Sequence, residues 1–183
     1  MKIAPLINLS VAIGTEDRKN TVRFIEEVMR KRFLCEPPPT NGVIVNAKSN
    51  GRLVGTMAVE STVEENPFVL ELLYGCKPSF CRAKTVVGTR WIAIQTGVSH
   101  LVFSAAARLA RDFGKAHMVI EAKPYAVNRL RSFGIPCNPI EGAELDLEQV
   151  RKYVREDGMA YYRTHPSPCL YILSIEEIVQ SYP

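Results

Sequence analysis

The apolar positions of this chain change period several times, and each change marks an element. The first fourteen residues, MKIAPLINLSVAIG, are a short apolar stretch broken by Pro5 and Asn8, which predicts an N-terminal strand or arm. Thr15-Glu16-Asp17 then supplies a helix cap. Val22, Phe24, Ile25, Val28 and Met29, with Phe33, follow at helical spacing, so a helix is expected from residue 15 to about 33. The proline run between Cys35 and Gly42 excludes both helix and central strand. Residues 42–47 (GVIVNA) and 52–60 (RLVGTMAVE) read as antiparallel strands. They flank Lys48-Ser49-Asn50-Gly51, whose Asn-Gly pair is a strong hairpin signal.

The second half alternates strand and helix. Residues 66–75 (NPFVLELLYG) predict a short helix with proline near its start, and 76–85 an irregular loop. A strand at 86–94 (VVGTRWIAI), the turn Gln95-Thr96-Gly97, a helix at 98–113, a strand at 117–122 (HMVIEA) and a short helix near 125–133 come next. On the long helix Leu101, Ala105, Leu109 and Phe113 fall at four-residue steps, which predicts the face that packs on a sheet. A capped helix at 146–156 ended by Gly158, a strand at 168–175 and a helical turn at 176–180 complete the chain. With no internal repeat or linker, residues 1–183 read as one domain of α/β (α+β) class built on a single sheet.

The order strand, small-residue turn, helix at 86–113 carries the first chemical signal. Such a turn aims backbone N–H groups and the positive end of a helix at one spot, which suits an anion such as phosphate. The preceding strand can meanwhile offer its backbone to an extended ligand.

Composition narrows the class by exclusion. A net charge of +4, with basic groups at residues 30–33 (RKRF), around Lys77, Arg82 and Lys84, and at 128–131 (NRLR), is too sparse and too poor in interleaved aromatics for a nucleic-acid stripe. Two readings of these groups stand: solvated helix faces, or a docking surface that steers an acidic partner. Five cysteines without regular spacing and three scattered histidines argue against a metal site and against a disulfide framework. No apolar run reaches the ~20 residues of a membrane span, and no cleavage site follows the apolar start. A cytoplasmic location is therefore expected; the oligomeric state is left open.

Several segments together resemble the GNAT superfamily of acyl-CoA-dependent N-acyltransferases, and within it the autoinducer (acyl-homoserine lactone) synthases and N-acyl amino acid synthases. Phe33-Leu34-Cys35-Glu36 is similar to the F-x-x-E that ends the first helix of that branch. Gly51-Arg52-Leu53-Val54-Gly55-Thr56 is similar to its g-x-l-v-G-T strands, and the stretch from Val63 to Leu70 to its t…p-m-l loop and helix. Thr89-Arg90-Trp91-Ile92-Ala93-Ile94 looks like the s-R-f-a-v strand, and Phe133-Gly134-Ile135 like the l-G-F end of the fifth-strand unit. The family's Q/R-x-x-G-x-G/A pyrophosphate loop is half kept. Ile94 stands at its first position with Gln95 one place late, and Gly97 and Ser99 hold the small-residue positions. The family's thiolate-protonating tyrosine aligns with Leu130, the arginine of G-T-x-R with Ala58, and the glutamate three before R-f with Val87.

The resemblance implies a mixed, mostly antiparallel sheet splayed between strands four and five and flanked by helices. Strand four would bind the pantetheine arm of acyl-CoA, or of acyl-phosphopantetheine on an acyl-carrier protein, through Trp91, Ile92 and Ala93. Gln95, Gly97, Ser99, His100 and Asn128 would join the cofactor-binding set. An acidic carrier protein is a possible partner, and the acceptor would be the primary amine of a small metabolite such as an amino acid, without metal. Three side chains are the catalytic candidates. Arg90 either binds an acceptor carboxylate or faces outward. Glu121 and Glu60 are each either a base or a solvent-side residue. Trp91 is either core or acyl-tunnel lining. His100 stands in the first turn of the helix, where protonation opposes the dipole, which suits packing rather than base chemistry. Tyr161 and Tyr162 fall in a substrate-side loop. An acetyl-CoA-dependent acetyltransferase and a catalytically silent acyl- or pantetheine-binding module are the alternative readings.

Overall fold

A computed structural model describes residues 6–33, 42–61, 69–75 and 81–181. The end of the F-x-x-E segment, the proline run, residues 62–68, Cys76 and Lys77 lie outside the described residues.

Strand β1 (Ile7–Val11) and helix α1 (Thr15–Phe33) open the chain, and β2 (Val43–Ser49) and β3 (Arg52–Glu60) form the hairpin. Asn50 and Gly51 are the whole turn, at φ 49° and 76°, with Ser49 facing Arg52. Both central residues at positive φ match the right-handed twist of the flanking strands, which is why Asn-Gly sits there. Helix α2 (Val69–Leu73), a 3-10 turn (Arg82–Lys84) and β4 (Thr85–Ala93) follow. Next come α3 (Val98–Asp112), β5 (His117–Ala122), α4 (Pro124–Ser132), β6 (Asn138–Pro139), α5 (Leu147–Tyr153), α6 (Met159–Arg163), β7 (Cys169–Ser174) and α7 (Ile175–Ser181). The seven strands make one sheet in the order β1-β2-β3-β4-β5-β7-β6. The pair β4–β5 is parallel and the other pairs antiparallel. A parallel neighbour requires a crossover, and α3 supplies it.

Helices cover both faces. Val102, Phe103, Ala106 and Ala107 of α3 meet Met57, Val86, Met118 and Ile120 from the strands, with α4 and α7 beside them. On the other face Ile25 and Val28 of α1 pack on Ile92, while Leu73 of α2, Tyr74 just after it, Val150 of α5 and Met159 of α6 pack on Val119 and Leu170. The buried stripe of α3 differs from the one expected. Leu101, Ala105 and Leu109 are only half-buried and Phe113 is exposed, while Val98, Val102, Phe103, Ala106, Ala107 and Ala110 are buried. Four-residue steps overshoot a full turn by about 40° each, so they wind off the contact face that alternating three- and four-residue steps would follow.

Three further differences concern the C-terminal third. Helix α5 stops at Tyr153, not 156, because Val154 is extended, although Asp146 caps its start through bonds to the N–H groups of Glu148 and Gln149. Tyr161 and Tyr162 belong to α6, not a loop. The two-residue β6 was not foreseen, since Asn138–Pro139 carries no strand pattern. No helix among the described residues is long and apolar enough to cross a membrane. Cys81, Cys137 and Cys169 are free thiols.

Candidate active site

The site begins where two parallel strands part. Strands β4 and β5 pair from Thr85 with His117 to Gly88 with Ile120, and there the pairing ends. Beyond that point β4 keeps β3 as its neighbour, with Thr89 opposite Ala58, Ile92 opposite Thr56 and Ala93 opposite Gly55. Among the described residues no strand pairs with the other edge of residues 89–93. One lip of the opening is therefore Thr89 to Ala93, the other Glu121, Ala122 and Lys123.

A bulge shapes the first lip. Between the pairs Ala58–Thr89 and Thr56–Ile92, β4 carries two residues against the single Met57 of β3, and Arg90 takes φ 52°. Left-handed backbone at a β-bulge re-aims the side chains that follow, at a conformational cost that the surrounding packing must cover. After the bulge Trp91 lies on the α3 face, its ring 5.0 Å from Phe103 and its Nε1–H donating to the Ser99 carbonyl at 2.8 Å. Ile92 points to the opposite face, into the α1 contact. The Ala93 carbonyl accepts from Arg32 Nη1 at 3.3 Å.

The chain then turns through Gln95 and Gly97 into α3. Gly97 caps the helix at φ 80°, with no side-chain cap on the first turn and space where a Cβ would stand. A helix N-terminus left uncapped beside an open strand edge is suited to a phosphate. Ser99 is buried there, and its backbone carbonyl is held by Trp91. His100 packs on Phe133 at 5.2 Å. Burial, and then the charge of Arg129, pull its pKa below the ordinary histidine value, so the ring is neutral against the helix dipole. Asn128 is exposed on α4.

The catalytic candidates share one face of the sheet, the side of α2, α5 and α6. Arg90 Nη1 donates to Glu60 Oε1 at 2.8 Å and to Thr89 Oγ1 at 2.8 Å, and Thr89 Oγ1 donates to the same Glu60 oxygen at 3.2 Å. Only a tenth of the Arg90 side chain is exposed. Desolvation lowers its pKa while Glu60 opposes the shift. Glu121 stands on the other lip, one residue past the last parallel pair. The residue as a whole is half-buried, yet its Oε2 is sealed from solvent and has no hydrogen-bond partner among the described residues. Burial pushes its pKa up to about 7, against the hydrogen bonds of Tyr162 and Tyr74, which pull it down. Tyr74 Oη donates to the Pro168 carbonyl at 3.0 Å.

Sequence reasoning passed over Tyr74 and Lys123, which complete this surround. Lys123 had a readable signal, since it follows Glu121 by two along an extended chain and so shares its face. Tyr74 had none, because α2 reaches β5 only in three dimensions. Of the basic groups, Arg82 is bound through two bonds of 3.0 Å to the buried Glu71, and Arg131 Nη2 donates to the Cys137 carbonyl. Arg30, Lys31 and Arg32 lie in the last turn of α1. Among the described residues no group of three potential metal ligands gathers.

The chain's fold is similar to that of several solved structures, acyl-homoserine lactone synthases among them. TofI in an apo form superposes with a TM-score of 0.66 at 15% identity, over 98% of this chain and 95% of that one. The CoA-dependent acyl-homoserine lactone synthase BjaI, solved with SAM and isopentyl-CoA, gives 0.64 at 13% identity over 97% and 87%. FeeM, an N-acyl amino acid synthase from uncultured soil microbes, gives 0.58 at 10% identity over 96% and 94%. At such identities the likeness is one of fold. No protein-family model matches the sequence, and no curated protein does.

Proposed function

We propose that this protein is an N-acyltransferase, acting as one domain, that moves an acyl group from an acyl thioester to a primary amine of a small metabolite. The observation that carries this reading is the β4–β5 opening, whose free β4 edge leads directly to the uncapped start of α3. A pantetheine arm carries amide groups that suit such an edge, and a phosphate suits such a helix end. Both acyl-CoA and the phosphopantetheine of a carrier protein present that pair of groups, and the proposal covers both donors.

In this reading Trp91, Ile92 and Ala93 line the arm with their backbone, Gln95, Gly97 and Ser99 surround the phosphate, and His100 and Asn128 flank it. Backbone N–H groups near Trp91 to Ala93 stabilise the oxyanion that forms when the amine attacks the thioester carbonyl. Glu121 takes the amine proton, for which a carboxyl titrating near neutral pH is well matched. Arg90 and Glu60, tied together, set the shape of the β4 lip and its charge rather than reacting.

A short acyl chain is the second reading, favoured by Trp91 lying against the fully buried Phe103 on the α3 side. Mass spectrometry of extracts from cells overproducing the protein, compared with a Gly97→Trp variant, decides. N-acylated amines that disappear with the variant are expected, and their chain length separates long-chain from acetyl donors. If no N-acylated product depends on the intact protein, acyl transfer is wrong.

A further inference from the structure

The last turn of α6 is held at two points from the end of β5. Lys123 continues the extended chain past Ala122, at φ −79° and ψ 155°, so it follows Glu121 on one side of the sheet. Glu121 hydrogen-bonds with Tyr162, and Lys123 Nζ donates to the Thr164 carbonyl at 3.0 Å. Residues two apart on the strand side thus hold residues two apart at the helix end. Thr164 closes α6, and its carbonyl is one of those a helix end leaves free, where a cation is well placed. The ammonium also lies 4.9 Å from the centre of the Tyr161 ring, and that ring meets Tyr162 edge to face at 5.2 Å. Beyond α6, Tyr74 Oη holds the Pro168 carbonyl, so the loop at residues 164–168 is pinned at both ends.

Lys123 is itself buried, at 9% exposure, and a carbonyl and a ring face are the partners of its ammonium among the described residues. A buried cation without a carboxylate is a costly way to fill that space, which a methionine would fill with no charge to desolvate. The groups that face the Glu121 carboxyl are the phenols of Tyr74, Tyr161 and Tyr162, and the ammonium is not one of them. What Lys123 does to Glu121 therefore passes through α6 rather than through its charge.

We propose that Lys123 is a positioning residue: by gripping the Thr164 carbonyl and the Tyr161 ring it holds α6 down, keeps Tyr162 on Glu121 and keeps water off that carboxyl. The inference rests on the acyl-transfer reading above, in which Glu121 is the base, and adds a residue that reading does not use. Two influences on the carboxyl oppose each other, burial raising its proton affinity and the tyrosine hydrogen bonds lowering it, and burial is the larger. Loosening α6 weakens both. The carboxyl then follows the larger loss and becomes more acidic, whereas deleting the Tyr162 hydroxyl alone makes it less acidic. The two changes have opposite signs, which separates a seal from a simple hydrogen-bond partner.

The test titrates the Glu121 carboxyl directly in the purified full chain, by infrared difference spectra taken against Glu121→Gln. The midpoint of the unaltered protein is expected near 7. Lys123→Met should lower it by about one pH unit or more, Lys123→Arg should hold it near the unaltered value, and Tyr162→Phe should raise it. A midpoint that Lys123→Met leaves in place or raises would overturn the proposal, as would an unaltered protein titrating like a free glutamate. Should Lys123→Met fail to fold, Tyr161→Leu removes the ring the ammonium rests on and should lower the midpoint in the same direction; no change there is equally fatal. Amide formation from octanoyl-CoA and the twenty common amino acids, followed by mass spectrometry across the same pH range, ties the carboxyl to the reaction. The rising limb of the rate should move with the midpoint in Lys123→Met and return with Lys123→Arg. A limb that stays put while the carboxyl moves would remove Glu121 as the base and Lys123 from the reaction with it. A carboxyl that moves as expected in a protein that makes no amide would keep Lys123 in this role and count against acyl transfer alone.

Discussion

A carboxyl with one oxygen shut off from water and lacking a donor among the described residues, as in Glu121, loses solvation each time it ionises. Its folded pKa of about 7 stands above the 4.5 of a free glutamate, so the native state holds this proton more tightly than the unfolded chain. The contribution of this group to stability is accordingly fullest below pH 4.5, is lost as pH rises from 4.5 to 7, and is gone above 7. The tyrosines around it do not titrate in that window, because burial drives Tyr74 and Tyr161 up, away from neutrality. Glu121→Gln should therefore unfold later in urea than the unaltered protein at pH 8, by about 1–3 kcal/mol, and no later at pH 4.5. The same proton governs rate, since only the ionised carboxyl accepts from the amine. We expect kcat to rise with pH toward 7 and then flatten. Glu121→Gln should lose about 10²- to 10⁴-fold in kcat together with that limb. A variant that keeps the limb would place the base elsewhere. Glu121 was legible as a candidate because a charge interrupts an apolar strand, and Lys123 two residues on carried a readable signal; Tyr74 was not, because it lies far from Glu121 in sequence.

The element that depends most on its neighbour is α3. Its first residue, Val98, sits directly over Gly55 of β3, where an added Cβ would come within 2.5 Å of Val98 Cγ1 and 3.2 Å of the Ile92 carbonyl. Valine is branched at Cβ and cannot swing its methyl away as a longer chain would. The helix start must move instead, and with it the turn at Gly97. Gly55→Ala is expected to cost about 1–3 kcal/mol in urea denaturation and to raise the KM for acyl-CoA, leaving the KM for the acceptor unchanged. Equal KM values for donor in both proteins would separate α3 from donor binding. Element identity was readable here from period and punctuation, because Gly97 and Gly114 bracket the helix. Its contact face was misjudged, since a four-residue count selects a stripe that drifts off the sheet. The bulge at Arg90 was unreadable for a different reason: left-handed backbone is usually signalled by glycine or asparagine, and arginine gives no such sign.

Across the whole molecule the opening follows from topology rather than from any single side chain. The α3 crossover forces β4 and β5 to run parallel, and β5 then pairs with β7 over its full length, from His117 with Ser174 to Ala122 with Cys169. Strand β4 stays with β3 through the bulge. Each strand of the pair is thus claimed by its outer neighbour, and a twisted sheet parts where the two claims diverge. This much could be expected from the family resemblance. The meeting of α2, β5 and α6 behind the lip could not, because those segments are joined by loops whose course no local pattern fixes. The opening makes a prediction at the scale of the fold. Backbone N–H groups of residues 89–93 that point toward β5 have no strand partner among the described residues, so they should exchange with deuterium faster than those of residues 85–88. A thioether analogue of octanoyl-CoA, which cannot transfer its acyl group, should bond to that edge and to the start of α3. Hydrogen-exchange mass spectrometry is then expected to show slowing of tenfold or more over residues 89–101, with the α5 peptide at residues 147–153 unchanged. Slowing elsewhere with none along β4 would mean that the donor does not lie on this strand, and the acyl-transfer reading would lose its geometric basis.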